Sequence, residues 1–148
     1  ANAGRDEAIL VYGDGKNVRD WISVDDHCRA IWAVLKHGRS GDAYNIGARN
    51  QRRNIELVES ILTQLGKPRS LIRYVKDRPG HDRRYAIDPS KIERELGWRP
   101  RETWETGLAK TIRWYQENTG WVERTRSGAY RDYYAQQYGT TIGAKAAA

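Results

Sequence analysis

The sequence predicts an α/β fold: a small mixed sheet flanked by helices. Two observations carry that expectation. Short apolar runs of strand length alternate with longer segments whose apolar residues recur at helical spacing. Glycine, proline and capping residues stand at each change of period. The resulting order is strand, helix, strand, helix, strand, then helices, a pattern of layered α/β or α+β domains.

Ala8 to Tyr12 is a strand stopped by Gly13-Asp14-Gly15. Lys16 to Trp21 reads as loop or extended chain. Asp25 is placed to cap a helix reaching about His37, with Ile31, Val34 and Leu35 at helical spacing and Gly38 as its stop. Ala43 to Ile46 reads as a strand closed by Gly47. Asn54 is a good N-cap for a helix with one apolar stripe, Ile55, Val58, Ile61, Leu62 and Leu65. Gly66 and Pro68 end it, and Leu71 to Val75 forms the next strand. Asp77 to Arg84, with Pro79-Gly80 in its middle, is a loop. Asp88-Pro89 caps a short helix reaching about Leu96. Thr103 caps a longer helix through Leu108, Ile112 and Tyr115 to about Asn118. No repeat or linker divides the chain. The expected organisation is one region over residues 1–138 and a flexible tail over 139–148.

The bulk properties narrow the function classes. A chain of 148 residues, 39% apolar and 30% charged, can bury its own core. No run approaches the roughly 18 apolar residues of a membrane span, and no signal peptide opens the chain. A single cysteine, Cys28, fits a reducing, cytoplasmic compartment. The chain begins at Ala1 without any methionine, so a processed chain or a fragment is expected. The net charge of +7 is spread out: 12 basic against 9 acidic residues precede position 75, and 14 against 10 follow. That interleaving lacks the basic arm of a nucleic-acid binder.

Several motifs match by spacing and fail by context. Gly13-x-Gly15 follows a strand but lacks a third glycine and the helix that a dinucleotide fingerprint needs. Tyr12 and Lys16 have Tyr-x-x-x-Lys spacing, yet the two glycines between them cost a helical turn about 2 kcal/mol. His27, Cys28 and His37 lack metal-ligand spacing. Tyr130, Tyr133, Tyr134 and Tyr138 read as packing residues, since no flanking basic groove accompanies them.

The most informative stretch runs from Asp77 to Asp88, Asp-Arg-Pro-Gly-His-Asp-Arg-Arg-Tyr-Ala-Ile-Asp. It gathers Arg78, Arg83, Arg84 and His81 in one proline-pinned loop. Guanidinium forks match phosphate oxygens and keep their charge at any working pH. Asp82 and Asp88 offer Arg83 and Arg84 an alternative, structural pairing.

This stretch, with Arg94-Glu-Leu-Gly-Trp98, Tyr12-Gly-Asp-Gly15, Asn17-Val-Arg-Asp-Trp21 and Tyr44-Asn-Ile-Gly47, resembles the dTDP-glucose 4,6-dehydratases of the extended short-chain dehydrogenase/reductase family. The resemblance extends to about Tyr138. It implies the C-terminal, substrate-binding part of such an enzyme, with the N-terminal Rossmann half absent. It further implies NAD as cofactor, a nucleotide-sugar substrate and a family homodimer. In that family the sugar is oxidised at C4 by NAD, loses water across C5 and C6, and regains the hydride at C6. No position here matches the family's catalytic tyrosine and lysine, its acidic pair or its NAD loop. The residues it implies for substrate contact are Tyr12, Arg19, Asn54 and the Asp77, Arg78, Pro79, Gly80 and His81 loop. Tyr12 would lie beside the base, with Arg19, Arg78 and His81 around the diphosphate or sugar. The rival readings are another nucleotide-sugar epimerase or decarboxylase and a non-enzymatic anion- or nucleic-acid-binding module.

Overall fold

The computed structural model describes residues 1–128. Two compact units emerge, Asn2–Ile112 and, among the described residues, a second one over 113–128. The expected tail over 139–148 and the tyrosines at 130, 133, 134 and 138 lie outside the described residues.

In the larger unit, strand β1 (Ile9–Tyr12) pairs in parallel with β4 (Ile72–Val75), placing Ile9 against Ile72 and Tyr12 against Val75. Strand β2 (Val18–Asp20) pairs antiparallel with β3 (Gln51–Arg53), so that Arg19 faces Arg52. Helix α1 (Val24–His37) follows β2, and α2 (Asn54–Gln64) follows β3 without a break. Helix α3 (Ser90–Leu96) leads through Trp98 to α4 (Trp104–Glu117). The parallel pairing of β1 and β4 requires a crossover, which α1, β3 and α2 supply. The α/β class, with small sheets and helices, is the architecture expected from the sequence.

The core centres on Ala30 of α1, Ile92 of α3 and Trp98, with Ile22, Ala33, Val34, Tyr44, Ile46 and Leu96 packed around them. A second buried set includes Val11 and Leu62, where α2 lies against β1. The α2 stripe faces inward as its periodicity indicates. Two buried or partly buried aspartates tie irregular chain to these elements. Asp26 accepts the backbone N–H groups of Arg101 and Glu102. Asp20 accepts those of Ala48, Arg49 and Asn50.

Asp20 also accounts for an expected strand that does not form. The segment 43–46 forms no strand among the described residues. Its neighbouring backbone groups are satisfied by side chains: Asp20 takes three N–H groups, and Lys91 Nζ donates to the Ala43 carbonyl. A segment held in this way needs no ladder partner.

Three caps shift by a residue or two. Ser23, not Asp25, precedes α1, and Asp25 joins Asp26 in its first turn, where negative charge favours the helix N-terminus. Arg53 precedes α2, leaving Asn54 as its first residue, and Glu56 Oε2 accepts the Arg53 N–H at 2.7 Å, half of a capping box. Helix α3 starts at Ser90, after Pro89, and Asp88 accepts the Ser90 N–H as a cap should. Thr103 caps α4 as expected, accepting the Thr106 N–H. Gly38 ends α1 in extended conformation. A side chain there would stand 2.5 Å from the Val34 carbonyl, so close approach rather than left-handed backbone fixes the glycine.

In the smaller unit, α5 (Thr119–Ser127) follows α4 directly and runs through Gly120, beyond the helix that the sequence indicates to about Asn118. Asn118, between the two helices, donates through Nδ2 to the Trp114 carbonyl, while the Trp121 and Val122 N–H groups donate to its own carbonyl. Trp114 also meets Trp121 edge-on at 5.1 Å.

Candidate functional site

The candidate site forms where the turn after β1, strand β2 and the loop after β4 converge. The turn is sharp because Gly13 and Gly15 adopt φ of 57° and 70°, a region closed to most L-residues. Space is short as well. A Cβ on Gly13 would lie 2.8 Å from Asp77 Oδ2, and one on Gly15 would lie 2.8 Å from Val11 Cγ1. Gly15 and Asn17 then turn their carbonyls toward the start of α2, accepting the Ile55 and Asn54 N–H groups at 2.9 Å each.

The Asp77–Asp88 loop is fixed to this turn at three points. Arg83 forms a fork with Asp14, at 2.8 and 3.2 Å. Asn17, only 2% exposed, donates through Nδ2 to the Asp82 carbonyl. The backbone at Arg84 bridges to Val18, with Val18 N–H donating to the Arg83 carbonyl and Tyr85 N–H to that of Val18. The pairings raised for Arg83 and Arg84 in the sequence are therefore corrected. Arg83 reaches across to Asp14, and Arg84 donates to Gln51 Oε1. Asp82 is instead engaged by the Tyr85 hydroxyl, and Asp88 by Ser90. Adjacent residues on an extended loop point away from one another, which leaves Arg83 aimed at the turn rather than at its neighbour.

The electrostatics follow the geometry. The Arg83 guanidinium, assisted by the Lys16 N–H, holds the Asp14 carboxyl at about 2. Asp77 is held below the usual carboxylate range by its hydrogen bond with His81, whose Nδ1 lies 2.6 Å away. Tyr85 is pushed up by its hydrogen bond to Asp82, against the pull of Arg19 and Arg78.

Of the residues singled out in the sequence, the structure brings most together in two small groups. Tyr12, Asp77 and His81 form one: Tyr12 and His81 meet edge-on at 6.3 Å, and the His81 side chain is 7% exposed. Arg19 and Arg78 are linked through Tyr85, whose hydroxyl both influence electrostatically. Arg19 stacks over the Tyr85 ring at 4.6 Å while donating to the Val18 and Asp82 carbonyls. The Arg78 guanidinium makes no hydrogen bond or ion pair with any described residue, and Pro79 and Gly80 form the exposed tip beside it. Asn54 lies further back at the start of α2, linked through the Asn17 carbonyl. Its Oδ1 is buried without a hydrogen-bond partner among the described residues, as is that of Asn17.

Asn17, Asp14 and Tyr85 join Arg83 in carrying the loop's position, and these three are not singled out as site residues by the sequence. Asn17 and Asp14 sit in a polar turn where burial leaves no trace in the pattern. Their signal is only that loop residues far apart in the chain carry complementary donors and acceptors.

The turn does not suit a dinucleotide. Gly15 leads through Lys16 and Asn17 into β2, and the first N–H groups of the nearby α2 are already taken by Gly15, Asn17 and Glu56. A pyrophosphate cradle needs free N–H groups at a helix start. What the site offers an anion is guanidinium side chains.

A family model described as GDP-mannose 4,6 dehydratase matches residues 1–111. The chain belongs to that family. It is 49% identical over 144 residues to a dTDP-glucose 4,6-dehydratase of Escherichia coli, a match covering 93% of this chain and 40% of that one. The structure of DesIV, a dTDP-glucose 4,6-dehydratase from Streptomyces venezuelae with NAD and TYD bound, superposes with a TM-score of 0.78 at 50% identity, over 81% of this chain and 37% of that one. The UDP-glucose 4-epimerase of Thermotoga maritima, solved with UDP-glucose, superposes with a TM-score of 0.74 at 28% identity, covering 80% of this chain and 38% of that one. The backbone is thus common to dehydratase and epimerase, while the sequence is nearer to the dehydratases. The chain spans about 40% of the length of the E. coli relative.

Proposed function

We propose that this chain supplies the nucleotide-sugar grip of a dTDP-glucose 4,6-dehydratase, a lyase converting dTDP-glucose to its 4-keto-6-deoxy product. The observation that carries the reading is Arg78. Among the described residues it is an unpaired guanidinium, on a loop whose other arginines and aspartates are consumed in holding that loop in place. Arg78 and Arg19 offer donors to the diphosphate, in the fork geometry that phosphate oxygens accept best. Tyr12, half exposed, presents a ring face beside the turn for the base. His81, oriented by Asp77, and the tip of Pro79 and Gly80 border the sugar. The buried Asn54 oxygen accepts a hydrogen bond from the substrate side.

This division of labour makes the chain a binder and not a catalyst by itself. NAD and the groups that move protons belong to the part of a full-length enzyme that the match does not cover. The identity to the dehydratases, 49% against 28% for the epimerase, supports thymidine over uridine nucleotides.

Titration calorimetry with dTDP-glucose, UDP-glucose and a single-stranded oligonucleotide tests the reading. The expected order is dTDP-glucose first and the oligonucleotide undetectable. Preference for UDP-glucose would move the assignment to an epimerase. Oligonucleotide binding that weakens steeply with salt would move it to a nucleic-acid module.

A further inference from the structure

Strand β2 places Arg19 directly opposite Arg52 of β3, so both side chains leave the same face of the sheet. Like charges in that position repel. Each guanidinium is drawn to an aromatic ring instead. Arg52 lies over Trp104 at 5.8 Å, and Arg19 lies over Tyr85 at 4.6 Å, both within the reach of cation–π attraction. The Tyr85 ring is itself held at two ends. Its backbone N–H donates to the Val18 carbonyl at 3.0 Å, and its hydroxyl bonds to the Asp82 carboxyl. Tyr85 is 50% exposed, so burial of apolar surface is not what puts the ring there. Arg19 is held against that ring by its edges, donating to the Val18 carbonyl at 2.7 Å and to the Asp82 carbonyl at 3.0 Å. A guanidinium carries five N–H donors, and these two bonds leave three that no described residue engages.

We infer that Tyr85 is a positioning residue for the anion grip: its ring fixes the plane of the Arg19 guanidinium and so aims the remaining donors at the diphosphate. The inference rests on the reading of Arg19 as a diphosphate contact. Guanidinium and phosphate meet edge to edge, through parallel N–H bonds in the guanidinium plane. A plane free to swing keeps its charge and loses that match. The neighbouring arginines show why a ring suits the position and a carboxylate does not. Arg83 spans both oxygens of Asp14, and Arg49 spans both oxygens of Glu93. A fork filled in this way has little left for a phosphate. An aromatic face orients the guanidinium from above and consumes none of its N–H groups.

Titration calorimetry of this chain with pyrophosphate and with dTDP tests the role. Tyr85→Leu is expected to weaken both about tenfold, whereas Tyr85→Phe, which keeps the ring, stays within about threefold of the unsubstituted chain. In an Arg19→Ala background, Tyr85→Leu should cause no further loss, because the ring acts through Arg19. Equal losses for leucine and phenylalanine would overturn the inference and make the Tyr85 hydroxyl a loop anchor only. So would a full additional loss in the Arg19→Ala background, which a displaced loop carrying Arg78 would produce. One measurement needs no variant. NMR of the unsubstituted chain should show Arg19 guanidinium protons shifted upfield by the ring current. Unshifted protons would overturn the inference whether or not the leucine variant folds, and so would an unsubstituted chain that binds neither anion. The functional reading fails by a different result. Pyrophosphate bound with this dependence on Tyr85, while dTDP binds no more tightly than UDP, upholds the positioning role and sinks the dehydratase reading. Tight binding of dTDP that is indifferent to Tyr85→Leu does the reverse.

Discussion

Replacing Asp26 by asparagine removes the anion that fastens the start of α1 to the segment leading into α4. Asp26 is 2% exposed. Its Oδ2 accepts the Glu102 N–H at 2.9 Å, and both oxygens accept the Arg101 N–H at 3.0 Å. Arg29 adds an ion pair, but its side chain is 35% exposed, so solvent screens much of that contribution. The two backbone donors therefore decide the magnitude. Asparagine keeps one acceptor oxygen and turns an NH2 group toward a donor, leaving at least one buried N–H unpaired. Hydrogen bonds to a charged group contribute about 1.5–3 kcal/mol each. Losing one and neutralising the other gives an expected destabilisation of about 3 kcal/mol. For a chain of this size that lowers the melting temperature by roughly 10 °C. Thermal melts followed by circular dichroism at pH 7 measure it, with Asp25→Asn in the same helical turn as a control expected within about 0.5 kcal/mol. A loss below about 1 kcal/mol for Asp26→Asn would show that the segment is held by packing rather than by this carboxylate.

Gly13→Ala combines a positive φ with a Cβ that would stand 2.8 Å from Asp77 Oδ2. The backbone part alone costs about 1–2 kcal/mol. Denaturant unfolding should show at least that loss, together with weaker nucleotide binding as Asp77 and His81 are displaced. Asp14 has an ordinary value of 3.8 and is held at about 2 in the folded chain. A depressed folded value means that its contribution to stability is complete above 3.8 and is lost as pH falls through about 2. Carboxylate NMR should place its midpoint near 2, and Arg83→Ala should return it toward 3.8. An Asp14 midpoint unmoved by that substitution would contradict the Asp14–Arg83 fork. Arg78→Ala should weaken dTDP-glucose binding about tenfold or more without changing the melting temperature, because its guanidinium holds none of the described residues in place. Arg49→Ala should do the reverse, since Arg49 is engaged with Glu93 and Ser90.

Where the fold was legible in the sequence, one interaction range dominated. The stripe of α2 and the strand from Ile72 to Val75 follow from local periodicity, and both stand where the pattern puts them. The segment 43–46 misled because β-forming residues register propensity while the deciding partner, Asp20, lies far off in sequence. The site shows the same division. Proline, glycine and the arginines marked Asp77 to Arg84 as a loop suited to an anion. Which arginine stays available was not legible, because it depends on Asp14 and Gln51 claiming Arg83 and Arg84 from other elements. Helix α1 misled for a related reason: Ile31 and Leu35 register as core by spacing, whereas both are exposed and the core takes Ala30 and Val34.

The central claim, a grip without turnover, is tested in one NMR sample containing this chain, NAD and dTDP-glucose. Saturation transfer from protein to the thymine and sugar protons, weakened by Arg78→Ala, is expected, with no 4-keto-6-deoxy product on prolonged incubation. Product formed by the chain alone would contradict a grip without turnover, and so would the absence of any transfer to the nucleotide.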